Sequence, residues 1–319
     1  MRNAKTMKPV YHTPVPLPDY SFEIGYEHKM MSLGSCFVEH IGGRLKTLQF
    51  QQILNPFGIV YHPLVLASLL NKLLSKQNIA EADLFQQQEL WRHYDFHSRF
   101  AHPDQTTAFE VMHQQFEQAV AYLPQLDYLF ITLGTAFGYR LQSTNQWVNN
   151  CHKQDAKRFL KERADLGEII AKLGEQLAAL KEVAPNLSVI MTVSPVRHLR
   201  DGLLENQRSK AILLLAVDAL VKQFPFVHYF PAYEIMLDEL RDYRFYNRDM
   251  LHPSEVAVDH IWKCFQCCFF SKDTAGLTKQ VESINRALRH NHQHPESAAV
   301  LQFEQQLQAR IKKLEEKYD

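Results

Sequence analysis

The middle of the chain alternates short apolar segments with longer segments of helical periodicity, and no other feature of the sequence constrains the fold as strongly. Strands that are joined through helices pair in parallel, and the helices then cover both faces of the sheet. The pattern predicts strands at residues 29–33, 128–133, 187–193 and 226–230, and helices at residues 156–183 and 205–224. We therefore expect a three-layer α/β/α domain.

Small polar motifs directly follow three of these predicted strands. Gly34-Ser35 follows the first, Gly134-Thr135 follows the second, and residues 194–198 follow the third. In an open parallel sheet, ligands bind in the crevice beyond the carboxyl ends of the strands, and these motifs meet there. The sequence therefore predicts a site at this edge of the sheet.

Two distant segments contain the three groups that nucleophilic catalysis needs. Gly34 permits a sharp turn that presents the Ser35 hydroxyl at the sheet edge, and Asp249 and His252 lie three residues apart near the end of the chain. A serine hydroxyl becomes a good nucleophile when a histidine takes its proton and a carboxylate orients that histidine. We predict Ser35 as nucleophile, His252 as general base and then acid, and Asp249 as the orienting group. Pro253 suits the first position of a following helix.

Cys36 is the alternative nucleophile. A thiolate is intrinsically more nucleophilic than a hydroxyl and needs only a cationic neighbour to form. A side chain one residue past the turn is expected to point away from its predecessor, towards the core, which favours Ser35. An acyltransferase that uses Cys36 remains the alternative interpretation.

The residues around this turn resemble a known family. Residues 34–37, Gly-Ser-Cys-Phe, open the GSCFA motif, with Val38 where the family name has alanine. The resemblance continues through residues 55–61, 131–135, 150–153, 192–198 and 230–234 to the Asp249/His252 segment, and it covers residues 29–272. The family looks like a branch of the SGNH (GDSL-type) hydrolases. The resemblance implies a flavodoxin-like SGNH hydrolase fold and an esterase or acyl hydrolase for small-molecule or glycan esters, with no metal or organic cofactor.

An oxyanion hole needs two or three hydrogen-bond donors that point at the developing negative charge. We expect the backbone N–H of Ser35 as one donor and that of Gly58 as a second. The SGNH pattern has Gly-x-Asn after its middle strand, whereas residues 134–136 read Gly-Thr-Ala. Either Thr135 or Asn150 therefore substitutes for the asparagine, or the hole is incomplete and the protein is a non-catalytic ligand-binding module.

Three further residues are candidates for substrate binding. Arg197 and His198 follow a predicted strand and a Ser-Pro turn, so they can reach an anionic or polar group of a substrate. The alternative for Arg197 is a salt bridge to Asp201 or Glu205. His152 lies in a comparable position after the predicted hairpin.

Residues 84–100 and 139–152 interrupt the alternation. The first segment is rich in aromatic residues and histidines, and the second contains the turn signal Ser143-Thr144-Asn145 between flanks that favour strands. We predict two hairpin insertions beside the site, which serve either substrate recognition or local surface packing.

The overall charge excludes several classes of partner. The chain has 35 basic and 35 acidic side chains, so no net field attracts nucleic acid or an anionic membrane. No segment approaches the roughly 18 apolar residues that span a bilayer.

Residues 1–20 lack the apolar core of a secretory signal, and five cysteines do not suggest a disulfide framework. These observations predict a cytoplasmic protein.

The character of the sequence changes near residue 272, which divides a domain at residues 1–272 from a helical extension at 273–319. An apolar stripe in residues 297–317 predicts an amphipathic helix that packs back on the domain or pairs with a second copy in a homodimer. The stripe consists of Val300, Phe303, Leu307, Ile311 and Leu314. The histidines in residues 289–295 have no fixed ligand spacing, and Cys264, Cys267 and Cys268 lie in an apolar helical segment, so we expect no metal site at either place.

Overall fold

The computed structural model describes residues 13–289 and 298–318. The strands are β1 (Met30–Gly34), β2 (Gln52–Leu54), β3 (Phe85–Gln87), β4 (Leu90–Arg92), β5 (Tyr128–Leu133), β6 (Phe137–Leu141), β7 (Gln146–Val148), β8 (Phe159–Arg163), β9 (Ser188–Val193) and β10 (Val227–Tyr229). The helices are α1 (Cys36–Thr47), α2 (Pro63–Leu74), α3 (Gln105–Tyr122), α4 (Leu166–Val183), α5 (Leu203–Gln223), α6 (Ala232–Glu234), α7 (Glu255–Phe269), α8 (Lys272–Leu288) and α9 (Ala298–Tyr318). No helix in these two ranges is long and apolar enough to cross a membrane.

A five-stranded parallel sheet forms the centre of the molecule, in the order β10-β9-β5-β1-β2. Counted along the chain, the sheet strands follow the flavodoxin-like order 2-1-3-4-5. The chain therefore leaves β1 towards one side of the sheet and returns through β5 on the other side. Such a switch point opens a crevice at the carboxyl ends of the two strands, which here are β1 and β5.

Both faces of the sheet are covered by helices, and the predicted three-layer α/β/α fold is confirmed. Successive side chains of a strand point to opposite faces. Met31 and Ile131 therefore pack in a core cluster with helices α2 to α5, whereas Met30 and Phe130 pack in a second cluster with α1, α7 and α8. The predicted strands and the predicted helix at 205–224 all form, with ends that differ by at most two residues.

The helix predicted at residues 156–183 begins too early. Residues 159–163 form β8, which pairs antiparallel with β6, and α4 begins only at Leu166. The Asp165 carboxylate accepts the N–H groups of Gly167 and Glu168 and so caps the helix at that point. Phe159 is buried beside the hairpin strands, which favours a strand over a further turn of helix.

The two predicted hairpin insertions are present. Strands β3 and β4 form one hairpin, and β6 and β7 form the other, which β8 extends to three strands. The second insertion begins three residues after β5, at the carboxyl edge of the sheet. The second insertion therefore leaves the sheet on the side where the predicted site residues lie, whereas the first lies between α2 and α3.

Helices α8 and α9 pack back on the domain. Leu277 and Val281 of α8 belong to the core cluster that contains α1 and α7. On α9, Leu307 is buried and Leu314 packs against the same cluster, whereas Phe303 is exposed. The histidine-rich segment lies outside the described residues, except for Arg289 at its start.

Candidate active site

The turn after β1 can be formed only with a glycine at position 34. Gly34 has a φ of 139°, and a side chain there would collide with the Thr132 carbonyl of β5. The Gly34 N–H donates to Oδ1 of the buried Asn55 at 3.0 Å. The turn therefore brings the start of α1 directly to the switch point between β1 and β5.

Ser35 lies at the sheet edge directly after β1, but its hydroxyl is not exposed there, contrary to the expectation. The residue is the N-cap of α1 and is 0% exposed, and its Oγ accepts the Phe37 N–H at 3.3 Å. Its backbone N–H donates to the Thr132 carbonyl at 3.0 Å, so it is not free for an oxyanion either. A serine immediately before a helix is a common capping signal, and this signal could have suggested the structural role.

Cys36 occupies the first position of α1 and is half-buried. The first N–H groups of a helix have no carbonyl of their own helix in front of them, which makes this end favourable for negative charge. Burial raises the pKa of the Cys36 thiol, whereas the Lys210 ammonium and the N–H groups of Cys36 and Phe37 lower it. At this turn Cys36 is therefore partly exposed, whereas Ser35 is buried.

Asp249 and His252 form a direct pair. His252 Nδ1 lies 2.7 Å from Asp249 Oδ2, while Asp249 Oδ1 accepts the N–H groups of Leu251 at 2.9 Å and of His252 at 3.1 Å. These hydrogen bonds, the Leu251 one most of all, lower the pKa of Asp249 to about 2. The ionised carboxylate therefore assigns the proton to Nδ1 and leaves Nε2 as an acceptor. Among the described residues, neither Ser35 nor Cys36 hydrogen-bonds to His252.

The loop that carries His252 is fastened on both sides. The Asn247 N–H donates to the His252 carbonyl at 2.8 Å, and the Arg197 N–H donates to the Leu251 carbonyl at 3.1 Å. Helix α7 begins at Glu255 with Ser254 as its N-cap. Pro253 therefore precedes the cap instead of opening the helix as predicted, because the Ser254 side chain satisfies the first turn.

Arg197 contacts and stabilises the loop that carries His252. Its guanidinium lies over the ring of Tyr246 at 4.1 Å and over that of Tyr243 at 5.3 Å, and it donates to the Met250 carbonyl at 3.5 Å. The alternative salt bridge of Arg197 is not formed. Asp201 pairs with Lys161, and Glu205 pairs with Arg163 and Arg208. The sequence analysis did not identify the two tyrosines.

His198 lies between the His252 loop and the start of α5. Its ring meets that of Tyr61 edge-on at 5.5 Å, and its N–H donates to Asn206 Oδ1 at 2.9 Å. Burial first, and then the charges of Lys210 and His252, lower the pKa of His198 to about 3. Its buried Nε2 has no hydrogen-bond partner in the described part of the chain. His198 is therefore a neutral side chain whose Nε2 has no partner among the described residues near the carboxyl edge of the sheet.

The backbone N–H of Gly58 is not an oxyanion donor. It donates to the Asn55 carbonyl at 2.7 Å and closes the turn that follows β2. Gly58 has a φ of 78°, and a side chain there would collide with His97. The glycine is required for this turn and for the close approach of the hairpin insertion, which explains its presence without a catalytic role.

Neither substitute for the missing asparagine is free to bind an oxyanion. Thr135 Oγ1 lies 3.1 Å from Ser209 Oγ and accepts the Phe137 N–H at 3.1 Å. Asn150 donates to Ser98 Oγ at 3.3 Å and accepts the His152 N–H at 2.8 Å. The polar atoms of both side chains are used to fasten the hairpin insertions, so the predicted set of donors does not assemble.

His152 is a buried structural residue of the insertions. Its Nε2 lies 2.8 Å from the His93 carbonyl, and its Nδ1 lies 3.4 Å from both Arg92 Nη1 and Ser98 Oγ. Burial, as the largest cause, lowers its pKa to about 4. The predicted role in substrate binding is wrong, because both ring nitrogens face protein groups.

Buried neutral histidines make the fold sensitive to acid. Burial lowers the pKa of His62 and His198 to about 3 and that of His152 to about 4, against about 6.5 in an unfolded chain. Below pH ~6.5 the unfolded chain binds more protons than the folded chain. The free energy of unfolding therefore decreases as the pH is lowered, until the pKa of the folded state is reached. From pH 7 to pH 5, we expect each histidine to lower the free energy of unfolding by up to about 2 kcal/mol, as measured by urea unfolding.

The matched variant for this prediction is His62→Gln, because His62 is buried against Trp147 and lies within hydrogen-bond distance of the Ala136 carbonyl at 3.1 Å. Glutamine keeps a polar group without a titration in this range. Between pH 7 and pH 5, the free energy of unfolding of the variant should fall by about 2 kcal/mol less than that of wild type. Equal acid sensitivity in both proteins would contradict the role of His62.

Lys210 is a site residue that the sequence analysis missed. It is 1% exposed, and its Nζ donates to the carbonyls of Gly134 and Ser194, each at 2.6 Å. Burial lowers its pKa to about 7, and the charge of Cys36 raises it. The available signal was a lysine in register with the apolar face of the helix, three residues before Leu213.

In the described ranges, no three His, Cys, Asp or Glu side chains converge in a way that could hold a metal ion. Cys264 is buried in α7, and Cys268 packs against the core cluster beside it.

This chain matches one protein family by sequence and resembles two solved esterase structures at low identity. The sequence profile of the GSCFA family matches residues 29–265. Similar solved structures include a carbohydrate esterase family 3 protein from Talaromyces cellulolyticus, with 8% identity, a TM-score of 0.36, and coverage of 80% of this chain and 99% of that chain. They also include an acetyl xylan esterase from the rumen bacterium Butyrivibrio proteoclasticus, with 10% identity, a TM-score of 0.37, and coverage of 86% of this chain and 66% of that chain. No curated protein matches the sequence.

Proposed function

Since this chain belongs to the GSCFA family, we propose that it hydrolyses ester bonds of small-molecule or glycan substrates through a covalent intermediate, with Cys36 as nucleophile. His252 acts as general base and then as general acid, and Asp249 orients it. The proposal keeps the histidine–aspartate pair that the sequence predicted and moves the nucleophile by one residue, from Ser35 to Cys36.

The single observation that carries the proposal is the 2.7 Å contact between His252 Nδ1 and Asp249 Oδ2. A carboxylate in this position fixes the imidazole tautomer and stabilises the imidazolium that forms when Nε2 takes a proton. Two backbone N–H groups hold the other carboxylate oxygen, which keeps the pair in register. The carboxylate of this pair is itself held by backbone N–H groups although it lies on an exposed loop, where the His252 side chain is 40% exposed.

The choice of Cys36 over Ser35 follows from accessibility. The Ser35 residue is 0% exposed and its Oγ already accepts a helix N–H, which makes it the less accessible of the two groups. The Cys36 thiol is half-buried at the same turn and lies in the field of a helix N-terminus. Because burial raises the pKa of this thiol, it is protonated in the resting enzyme and requires a base, which is the role proposed for His252.

The reaction has two halves. In the first, His252 Nε2 takes the Cys36 thiol proton, sulfur attacks the carbonyl carbon, and the carbonyl electrons move to oxygen. The tetrahedral intermediate collapses, the C–O bond to the alcohol breaks, and His252 returns the proton to the leaving oxygen. In the second half, His252 takes a proton from water as the water oxygen attacks the thioester carbonyl, the C–S bond breaks, and His252 gives the proton to the Cys36 sulfur while the carboxylic acid leaves.

The Cys36 N–H is the donor that we assign to the oxyanion. It lies at the first position of α1, where helix N–H groups lack intrahelical carbonyl partners. Removal of one such donor from an oxyanion hole typically costs about 3 kcal/mol of transition-state stabilisation. The donors predicted from the sequence are engaged elsewhere, and this observation favours a second candidate function, a ligand-binding module without turnover.

Trapping of an acyl-enzyme tests the proposal. After brief incubation with p-nitrophenyl acetate and an acid quench, we expect one acetyl group on Cys36, located by peptide fragmentation. A thioester is cleaved by neutral hydroxylamine faster than an oxygen ester, so the adduct should disappear under that treatment. His252→Ala should prevent acylation because the thiol then keeps its proton.

Two outcomes would contradict this expectation. An acetyl group on Ser35 would return the nucleophile to the serine. No acylation of wild type across a panel of esters and thioesters would support the binding module.

A further inference from the structure

Lys210 is a fully buried amine at the same end of the sheet as the proposed nucleophile. A buried ammonium is costly unless an anion or several hydrogen-bond acceptors surround it. The Nζ of Lys210 donates to two carbonyls, those of Gly134 and Ser194. An ammonium has three protons, and no described residue accepts the third. No carboxylate in the described ranges pairs with it either, so the protonated form lacks an anion in the resting site, and burial lowers the pKa of Lys210 to about 7.

The two carbonyls define where this charge lies. Gly134 directly follows β5, and Ser194 directly follows β9. In the sheet, Gly34 of β1 is opposite Thr132 of β5, which is opposite Thr192 of β9. The ammonium therefore lies at the carboxyl edge of the neighbouring strands, at the level where β1 ends and Cys36 begins α1.

We propose that Lys210 is a positioning residue whose ammonium forms a buried ion pair with the Cys36 thiolate during the catalytic cycle. This inference rests on the proposed function, because it takes Cys36 as the nucleophile. The thiolate that forms when His252 takes the proton supplies the anion that the resting site lacks. Lys210 acts through Cys36 and touches no substrate atom in this scheme.

The electrostatics at the site agree with this placement. The Lys210 charge is the largest influence that lowers the pKa of Cys36, and the Cys36 charge is the influence that raises the pKa of Lys210. The other groups that act here are Glu39 of α1, which raises the pKa of Cys36, and His198, whose pKa the Lys210 charge lowers. Tyr61 stays neutral, because burial and the Cys36 charge raise its pKa to about 12. Lys210 is therefore the cation that acts on the thiol.

The first experiment measures the thiol without turnover. The rate of Cys36 alkylation by iodoacetamide is followed by mass spectrometry of the Cys36 peptide as a function of pH, in the full-length protein. In Lys210→Met, we expect the rate at neutral pH to fall about tenfold or more and the midpoint of the profile to move to higher pH, because an opposite charge nearby is worth at least about one pKa unit.

Ser209→Ala is the matched control for this experiment. Ser209 precedes Lys210 on α5, and its Oγ accepts the Ala136 N–H at 2.7 Å, so its loss loosens the same strand end without removing a charge. We expect this variant to keep the wild-type profile. A Lys210→Met profile equal to wild type, or an equal shift in Ser209→Ala, would overturn the proposal.

A second measurement is independent of whether Lys210→Met folds. Because the coupling between two titrations is reciprocal, NMR titration of ¹³Cε-labelled lysine should give Lys210 a lower pKa in Cys36→Ala than in wild type. An unchanged Lys210 midpoint would overturn the ion pair. Coupling in a protein that hydrolyses no ester would support the pair and contradict the hydrolase. Cys36-dependent hydrolysis without coupling would contradict only the role of Lys210.

Discussion

Replacing Cys36 by alanine should lower kcat/KM for a short-chain activated ester by at least about a hundredfold. The reason is that nucleophile and base act as one unit, and the loss of either removes the covalent route. Cys36→Ser should also be strongly impaired, because a serine hydroxyl is a much weaker nucleophile than a thiol near neutral pH. Steady-state hydrolysis of p-nitrophenyl acetate, with stability followed by thermal unfolding, measures both.

Ser35→Ala is the control for this prediction. It removes the N-cap of α1, so we expect a loss of stability of about 1 kcal/mol and retention of most activity. Activity that survives in Cys36→Ala and disappears in a folded Ser35→Ala would show that the serine is the nucleophile after all. The two neighbouring substitutions therefore separate the chemical role from the structural one.

His252→Ala should likewise lower kcat/KM by at least about a hundredfold, since a positioned general base contributes roughly that much or more. Asp249→Asn should cause a loss of similar order, because an amide that donates to Nδ1 favours the wrong imidazole tautomer. The two losses should not add in the double variant, as expected for residues that work as a unit. Steady-state kinetics of the two single variants and the double variant check this expectation.

His260→Gln provides a matched control. His260 Nε2 lies 2.7 Å from Glu239 Oε1, so it forms a histidine–carboxylate contact of the same length as the Asp249–His252 pair. We expect this variant to hydrolyse the ester at the wild-type rate. Full activity in His252→Ala, or an equal loss in His260→Gln, would contradict the assigned role of His252.

Local patterns predicted several features correctly. The strand at residues 128–133 was predicted with its observed ends, because its composition and its flanking polar residues distinguish it from a helix. The family and the α/β/α fold class followed from motifs and alternation. The contact between Asp249 and His252 is local as well, since a turn of three residues brings the two side chains together.

Other predictions failed because they concerned backbone and side-chain groups that form hydrogen bonds with distant parts of the chain. Residues 159–163 have a composition that a helix tolerates, but pairing with β6 makes them a strand. The N–H of Ser35 is not available as an oxyanion donor, because the Thr132 carbonyl of the neighbouring strand accepts it. The same applies to Thr135, whose hydroxyl is occupied by Ser209 and Phe137.

The sequence by itself determined the alternation of four sheet strands with helices, the glycine turn after β1 and the histidine–aspartate pair, because each depends on residues that are close in the chain. Only the tertiary structure decided which polar groups remain available at the sheet edge. It buried Ser35, left Cys36 half-buried, and placed the side-chain nitrogen of Lys210 between the ends of β5 and β9. The physical reason is that burial and hydrogen-bond satisfaction depend on which segments pack together, and no local pattern encodes that.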